Sequence, residues 1–226
     1  MASSSVSPLR IWSRLLLAPV ALVALAGSLW IAAQVARYFT FDPRLAFLAE
    51  RPLLTADRFW STCFHLHIAG GLVCLLTAPL LLWNGLTGGS RRLHRAVGKL
   101  HAVAALGWAG PTGLWLAAFA KGGLAGRIGF GLLGLLFVTT TLLGIRAIRR
   151  ADPRGHVAWM VRSYALMLSA VTFRLIHPLL HGLGVGADTS YLIATWASLL
   201  LAILSGELVA HSLTSNHETL ICLARP

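Results

Sequence analysis

The chain has 226 residues, 57% hydrophobic and 12% charged, with net charge +12 and mean hydropathy +0.74. A water-soluble domain is nearer half apolar and a quarter charged, so this composition excludes one and calls for an integral membrane protein. The basic excess does not indicate nucleic acid. It lies in short loops between apolar runs, where it orients helices against the membrane potential and anionic lipid.

Six apolar runs follow in order: residues 11–37, 61–83, 96–120, 124–148, 155–181 and 190–212. About 20 residues cross the hydrocarbon as a helix, and lipid-exposed spans must be helices because every backbone donor and acceptor needs an internal partner. The expected fold is an all-α integral membrane bundle of six transmembrane helices. The first run starts like a signal peptide, with Arg10, Arg14 and the triplet Ala24-Leu25-Ala26. Its apolar character continues through Trp30, Ile31 and Val35, so an uncleaved helix is expected. The second ends at Asn84-Gly85 and Gly88-Gly89, and Pro79 should bend it. The third follows the basic turn Arg91-Arg92-Leu93-His94-Arg95 and is interrupted by Gly110, Pro111 and Gly113.

Alternate segments place eleven Lys and Arg on one side and six on the other, which puts both termini in the cytoplasm. The outer loop, residues 38–60, also carries Asp42, Glu50 and Asp57. No linker divides the chain. It reads as one membrane domain over residues 1–226: an N-terminal helix and outer loop (1–60), a five-helix core (61–212) and a cytoplasmic tail (213–226). Cys63, Cys74 and Cys222 form no CxxC and read as small packing residues.

The histidines sort by depth. His65 and His67 begin the second helix and His177 and His181 end the fifth, all on the outer side. His94, His101, His156 and His211 fall on the cytoplasmic side, His217 in the tail, and none at mid-membrane. Two layers of imidazole on several helices suit a membrane cytochrome with two b haems, each iron taking two axial imidazoles from facing helices. The outer pair is His67 with His177, whose depths agree within about 3 Å at 1.5 Å per residue. The inner pair is His94 with His156, and His101, seven residues past His94, is a backup ligand. Gly70, Gly71, Gly98 and Gly155 flank these positions, where a macrocycle needs a missing side chain.

Ionisable groups inside hydrocarbon are functional candidates. Arg162 and Glu207 match in depth, which predicts a buried ion pair, and Glu207 and His211 stand four apart on one helix. A proton path or a quinone site is the alternative. Arg174 has no acid in its own span; Asp188 or a haem propionate would be its partner. Arg95, Lys99 and Arg162 would serve propionates on the inner side. P-loop, HExxH and GxSxG motifs are absent from the sequence.

Particular motifs carry a family resemblance. They are His67-Ile68-x-x-Gly71, Leu93-His94-Arg95-x-x-Gly98-Lys99, Arg127-x-Gly129-Phe130, and His156-x-x-Trp159-Met160-x-Arg162-Ser163-Tyr164-Ala165-Leu166, with Arg174-Leu175 and Glu207. From His67 to about Glu207 the chain resembles a bacterial family of multi-pass membrane proteins known as a domain of unknown function. That family is distantly similar to two-haem b-type cytochromes. The resemblance implies His67, His94 and His156 as ligands and leaves the fourth to the depth argument.

The expected function is electron transfer by a b-type cytochrome, with a quinone or a redox protein as partner. A haem-free structural or assembly subunit, or a small-solute transporter using Arg162, Arg174 and Glu207, is the alternative.

Overall fold

The structure, a computed structural model, describes residues 8–215. Helix α1 (Pro8–Ala36) runs into a short 3-10 turn, Arg37–Thr40. Two short helices, α2 (Ala46–Ala49) and α3 (Pro52–Ala56), fill the loop before α4 (Arg58–Thr87). Then come α5 (Arg91–Val103), a π-helical segment (Ala104–Ala109) and α6 (Gly110–Ala117). Three long helices close the chain: α7 (Gly123–Arg149), α8 (Pro153–Gly182) and α9 (Ala187–Ser215). No strand occurs among the described residues.

Local chemistry sets the boundaries. The Asp57 carboxylate accepts from the Phe59 and Trp60 amides, Ser90 accepts from Leu93, and Asp152 accepts from Gly155. Each satisfies amides that a helix start leaves unpaired. Gly88 ends α4 at φ +68°, a left-handed position that glycine takes without penalty. Pro79 lies within α4 without ending it.

Five helices are long and apolar enough to cross a membrane among the described residues: Leu22–Thr40, Arg58–Gly85, Gly123–Arg149, Pro153–Gly182 and Ala187–Ser215. The third run departs from the expected single apolar span. It begins at Arg91, and its first turns carry Arg91, Arg92, His94, Arg95 and Lys99, giving a polar face. Pro111 does not end it. The Gly110 amide reaches back five residues to the Ala105 carbonyl, so the helix widens ahead of the proline and continues as α6. The result is an unbroken helical rod from Arg91 to Ala117 that packs along α4 with all three of its pieces.

Helix α8 packs against both α7 and α9, and α1 lies on α4 and α8. The centre is made of Cys74, Ala104, Ala105, Phe137, Leu166 and Leu199. Small residues bring the helices close, as membrane packing favours. A Cβ on Gly70 would lie 2.8 Å from the Ala109 amide nitrogen and 2.9 Å from Trp108 Cβ, so α4 touches the π segment through bare backbone. Buried hydroxyls bridge helices: Thr141 to Ser163 at 2.7 Å and Ser28 to Tyr164 at 3.2 Å. Leu80, Trp83, Leu135, Leu179 and Leu204 face outward, as a lipid-exposed surface would have them. At the end bearing the 38–57 loop, Leu48, Trp60 and Phe64 pack with Tyr38 and Phe47 as an aromatic cap.

Candidate functional site

Among the described residues the histidines line two cavities, one toward each end. The first, on the side of the 38–57 loop, has a volume of about 680 Å³ and is lined by His67, Arg174 and His177 among others. The second, on the side of the turns at residues 88–90 and 150–152, is a partly open cleft of about 250 Å³ lined by His94, His101 and His156. The middle of α8 separates them. Leu166 walls the loop-side cavity, and Tyr164 and Leu168 wall the turn-side cleft.

In the turn-side cleft the expected pair meets. The rings of His94 and His156 stand 6.4 Å apart, centre to centre, with planes at 72°. Nδ1 of His156 lies 2.9 Å from the Gly144 carbonyl oxygen. Since a carbonyl only accepts, Nδ1 carries the proton and Nε2 keeps its lone pair. Close packing permits this approach, because a Cβ on Gly144 would lie 2.6 Å from the Met160 sulfur. Gly85 and Gly98 give the cleft flat walls: a Cβ on either would meet nothing nearer than His94 Cε1 at 3.8 Å or Leu81 at 3.9 Å.

The loop-side pair shares a cavity but not a face. His67 has the same second-nitrogen bond, Nδ1 to the Ala109 carbonyl at 2.9 Å, and Gly113 makes room for its ring. His177 is held by Ser190 Oγ at 3.0 Å from Nδ1 and packs on Phe173 and Tyr191. No ring contact joins His67 and His177 among the described residues. Helix α4 begins at Arg58, so His67 is about 13 Å into it, whereas His177 is about 8 Å from the end of α8 at 1.5 Å per residue. Arg174, three residues before His177 on α8, lines the same cavity as His67.

His101 was expected near the cytoplasmic face with no histidine at mid-depth. It lies instead beside the middle of α4, 3% exposed, with Nδ1 2.8 Å from Thr77 Oγ1. Cys74, fully buried, directs its thiol to the His101 carbonyl at 3.7 Å. Because Cys74 lines the loop-side cavity and His101 the turn-side cleft, this cluster is the partition between them. The sequence pointed to neither Thr77 nor a contact from Cys74; Thr77 falls three residues after Cys74, a spacing that offers only a shared helix face.

The arginines depart further from expectation. Arg162 does pair with Glu207, through two bonds of 2.7 Å, and stacks on Trp159 at 4.7 Å. The pair is not buried: the side chains are 24% and 56% exposed. It lies on the outer surface of α8 and α9, and neither residue lines a cavity. Arg95 and Lys99 are exposed and also lie outside the cleft wall. The inner propionate role expected of Arg95, Lys99 and Arg162 therefore has no geometric basis. Arg174 is not paired with Asp188; its guanidinium bonds the Ala170 carbonyl at 3.1 Å. Both ring nitrogens of His65 face carbonyls, those of Ser61 and Tyr38, and Nδ1 of His181 faces that of Val185. His211 is exposed; His217, Cys222 and Arg225 lie outside the described residues. No three His, Cys, Asp or Glu side chains converge on one metal position among the described residues.

A double-mutant cycle should detect the surface pair. Arg162→Ala and Glu207→Gln are each expected to lower the unfolding temperature in detergent, and the double variant to lose less than their sum. The expected coupling is about 1 kcal/mol or more. Additive losses would mean that the bidentate pair contributes nothing.

Outward-facing leucines and long apolar helices define a multi-pass helical membrane protein. The family described as predicted membrane protein (DUF2306) matches residues 64–210, and the chain belongs to that family. The match takes in α4 from Phe64, the Arg91–Ala117 rod, α7, α8 and most of α9, and so every cavity histidine. No curated protein and no solved structure matches the chain.

Proposed function

We propose that this membrane protein carries electrons on haem b, with one haem between His94 and His156 and a second in the loop-side cavity at His67 and His177. The observation that carries the reading is the turn-side imidazole pair. Two imidazoles on one iron have ring centres roughly 6 Å apart, from two metal–nitrogen bonds of about 2 Å and the ring radii. His94 and His156 stand 6.4 Å apart. The 72° between ring planes is compatible, because two metal–nitrogen bonds on one iron fix no angle between the ring planes.

The second nitrogens support the same reading. Ligating histidines usually donate their other N–H to a carbonyl or carboxylate, which fixes tautomer and orientation. The Gly144 carbonyl does this for His156 and the Ala109 carbonyl for His67, and Ser190 holds His177 in the same manner. All three leave Nε2 as the donor atom in the neutral form that binds metal. Gly85 and Gly98 leave flat walls for a planar ring, and the 680 Å³ of the loop-side cavity lies within the range of cofactor sites. Bound haem b would supply reversible one-electron chemistry between ferric and ferrous iron. The chain itself contributes the imidazoles, the apolar walls and the Cys74–Thr77–His101 partition, which keeps the two sites close yet distinct.

In this reading the Arg91–Ala117 rod is the sixth span, its polar start lying in the headgroup region. The turn side is assigned to the cytoplasm from the basic excess in the sequence, eleven residues against six, of which Arg225 lies outside the described residues. The test is colour. Full-length protein made with ample haem supply and purified in detergent should show a Soret band that shifts and sharpens on reduction. Colourless protein would sink the proposal.

A further inference from the structure

The loop-side cavity carries two positive charges that the histidines leave unexplained. Arg51 and Arg174 both line it, and among the described residues neither has an acidic partner. The other charged groups on its wall, Lys121 and Glu50, neutralise each other in an ion pair. Arg51 reaches in from the start of α3. It stacks on Phe47 at 4.8 Å and donates through one Nη to the Phe119 carbonyl, but its Nε is buried with no partner. Trp60 Nε1, on the same wall, is also buried with no partner. Arg174 lines the same cavity from α8, with an exposed side chain whose guanidinium donates to the Ala170 carbonyl at 3.1 Å. A guanidinium in an apolar cavity needs an anion, and an orphaned N–H needs an acceptor.

We propose that Arg51 and Arg174 form a carboxylate clamp, holding the acidic groups of an amphipathic ligand whose apolar body fills the loop-side cavity. A guanidinium fork matches a carboxylate bidentately, and two forks suit a ligand with two such groups. Below them the wall is apolar and aromatic, with Phe130, Leu133, Phe137 and Phe173. The clamp rests on the haem reading when the ligand is haem b, whose two propionates would then point to the loop end with the macrocycle directed toward Cys74. A long-chain carboxylate from the membrane offers the same chemistry from another source.

Titration of the full-length protein with haem b, with haem b dimethyl ester and with palmitate separates these cases. His156→Ala serves as background so that the loop-side site is read alone. Haem b is expected to bind at least about tenfold tighter than its ester, which lacks the negative charges. Arg51→Gln and Arg174→Gln should each remove most of that preference, and Arg174→Lys should keep part of it. Equal binding of acid and ester, or a preference that survives in the double glutamine variant, would overturn the clamp and leave the haem reading standing. Palmitate binding that depends on both arginines, in protein that takes up no haem, would keep the clamp and remove the haem reading. Binding of neither ligand, or binding indifferent to both arginines, would overturn the clamp. The ester comparison needs no arginine variant, so a misfolded variant cannot protect the idea.

Discussion

Replacing His156 by Ala should abolish haem at the turn-side cleft and leave roughly half of the haem bound, since one of two axial ligand pairs is lost. The imidazole is held by the Gly144 carbonyl and faces His94 at 6.4 Å, and the alanine methyl cannot ligate. His94→Ala should give the same spectrum, because the pair acts as a unit. His67→Ala should remove the other half. His101→Ala is the informative control. Its Nδ1 is engaged by Thr77 and it sits in the partition, so haem content should hold while the two sites become less insulated from each other. Pyridine haemochrome content per protein and reduced-minus-oxidised difference spectra check all four. Loss of the same spectral component from His94→Ala and His67→Ala would show that these residues do not serve separate sites.

Gly70→Leu should be the most damaging single change near the loop-side cavity. Its Cβ would stand 2.8 Å from the Ala109 nitrogen, 2.9 Å from Trp108 Cβ and 3.0 Å from the Ala104 oxygen. Two of these three neighbours are backbone of the π segment and cannot rotate aside, so α4 and the Arg91–Ala117 rod must separate. Overpacking of this kind costs about 1–3 kcal/mol or more. The separation also breaks the His67 bond to the Ala109 carbonyl, which crosses the same interface three residues away. The expected result is a lower unfolding temperature in detergent with selective loss of His67-dependent haem. Gly71→Ala is the control, because a Cβ there meets nothing within 4 Å. It should leave stability within about 0.5 kcal/mol. Equal damage from the two would place the effect in helix propensity rather than in contact.

What was legible in the sequence was set by one-dimensional chemistry. Apolar length marked the spans, and the pairing of His94 with His156 was legible because both open helices after basic turns on one side. Helix ends limited the rest. His67 lies further along its helix than the apolar run suggests, because α4 starts three residues earlier than that run, where Arg58 follows the Asp57 cap. His101 was misplaced because counting from the charged turn could not show that a polar-faced helix carries its histidine in to the middle of α4. Facing direction was also illegible. Arg162 and Glu207 share a depth, yet the phase of α8 against α9 puts them outside rather than within. Arg51 gave no signal, since a loop arginine becomes notable only once Phe47, Trp60 and Phe119 fold around it.

The central claim is that two facing imidazoles hold one iron in the turn-side cleft. Low-temperature electron paramagnetic resonance of the oxidised full-length protein tests it most directly. The expected spectrum is low-spin ferric iron with bis-imidazole ligation, with one component lost in both His94→Ala and His156→Ala. A spectrum without ferric haem, or a low-spin component that survives both substitutions, would contradict it.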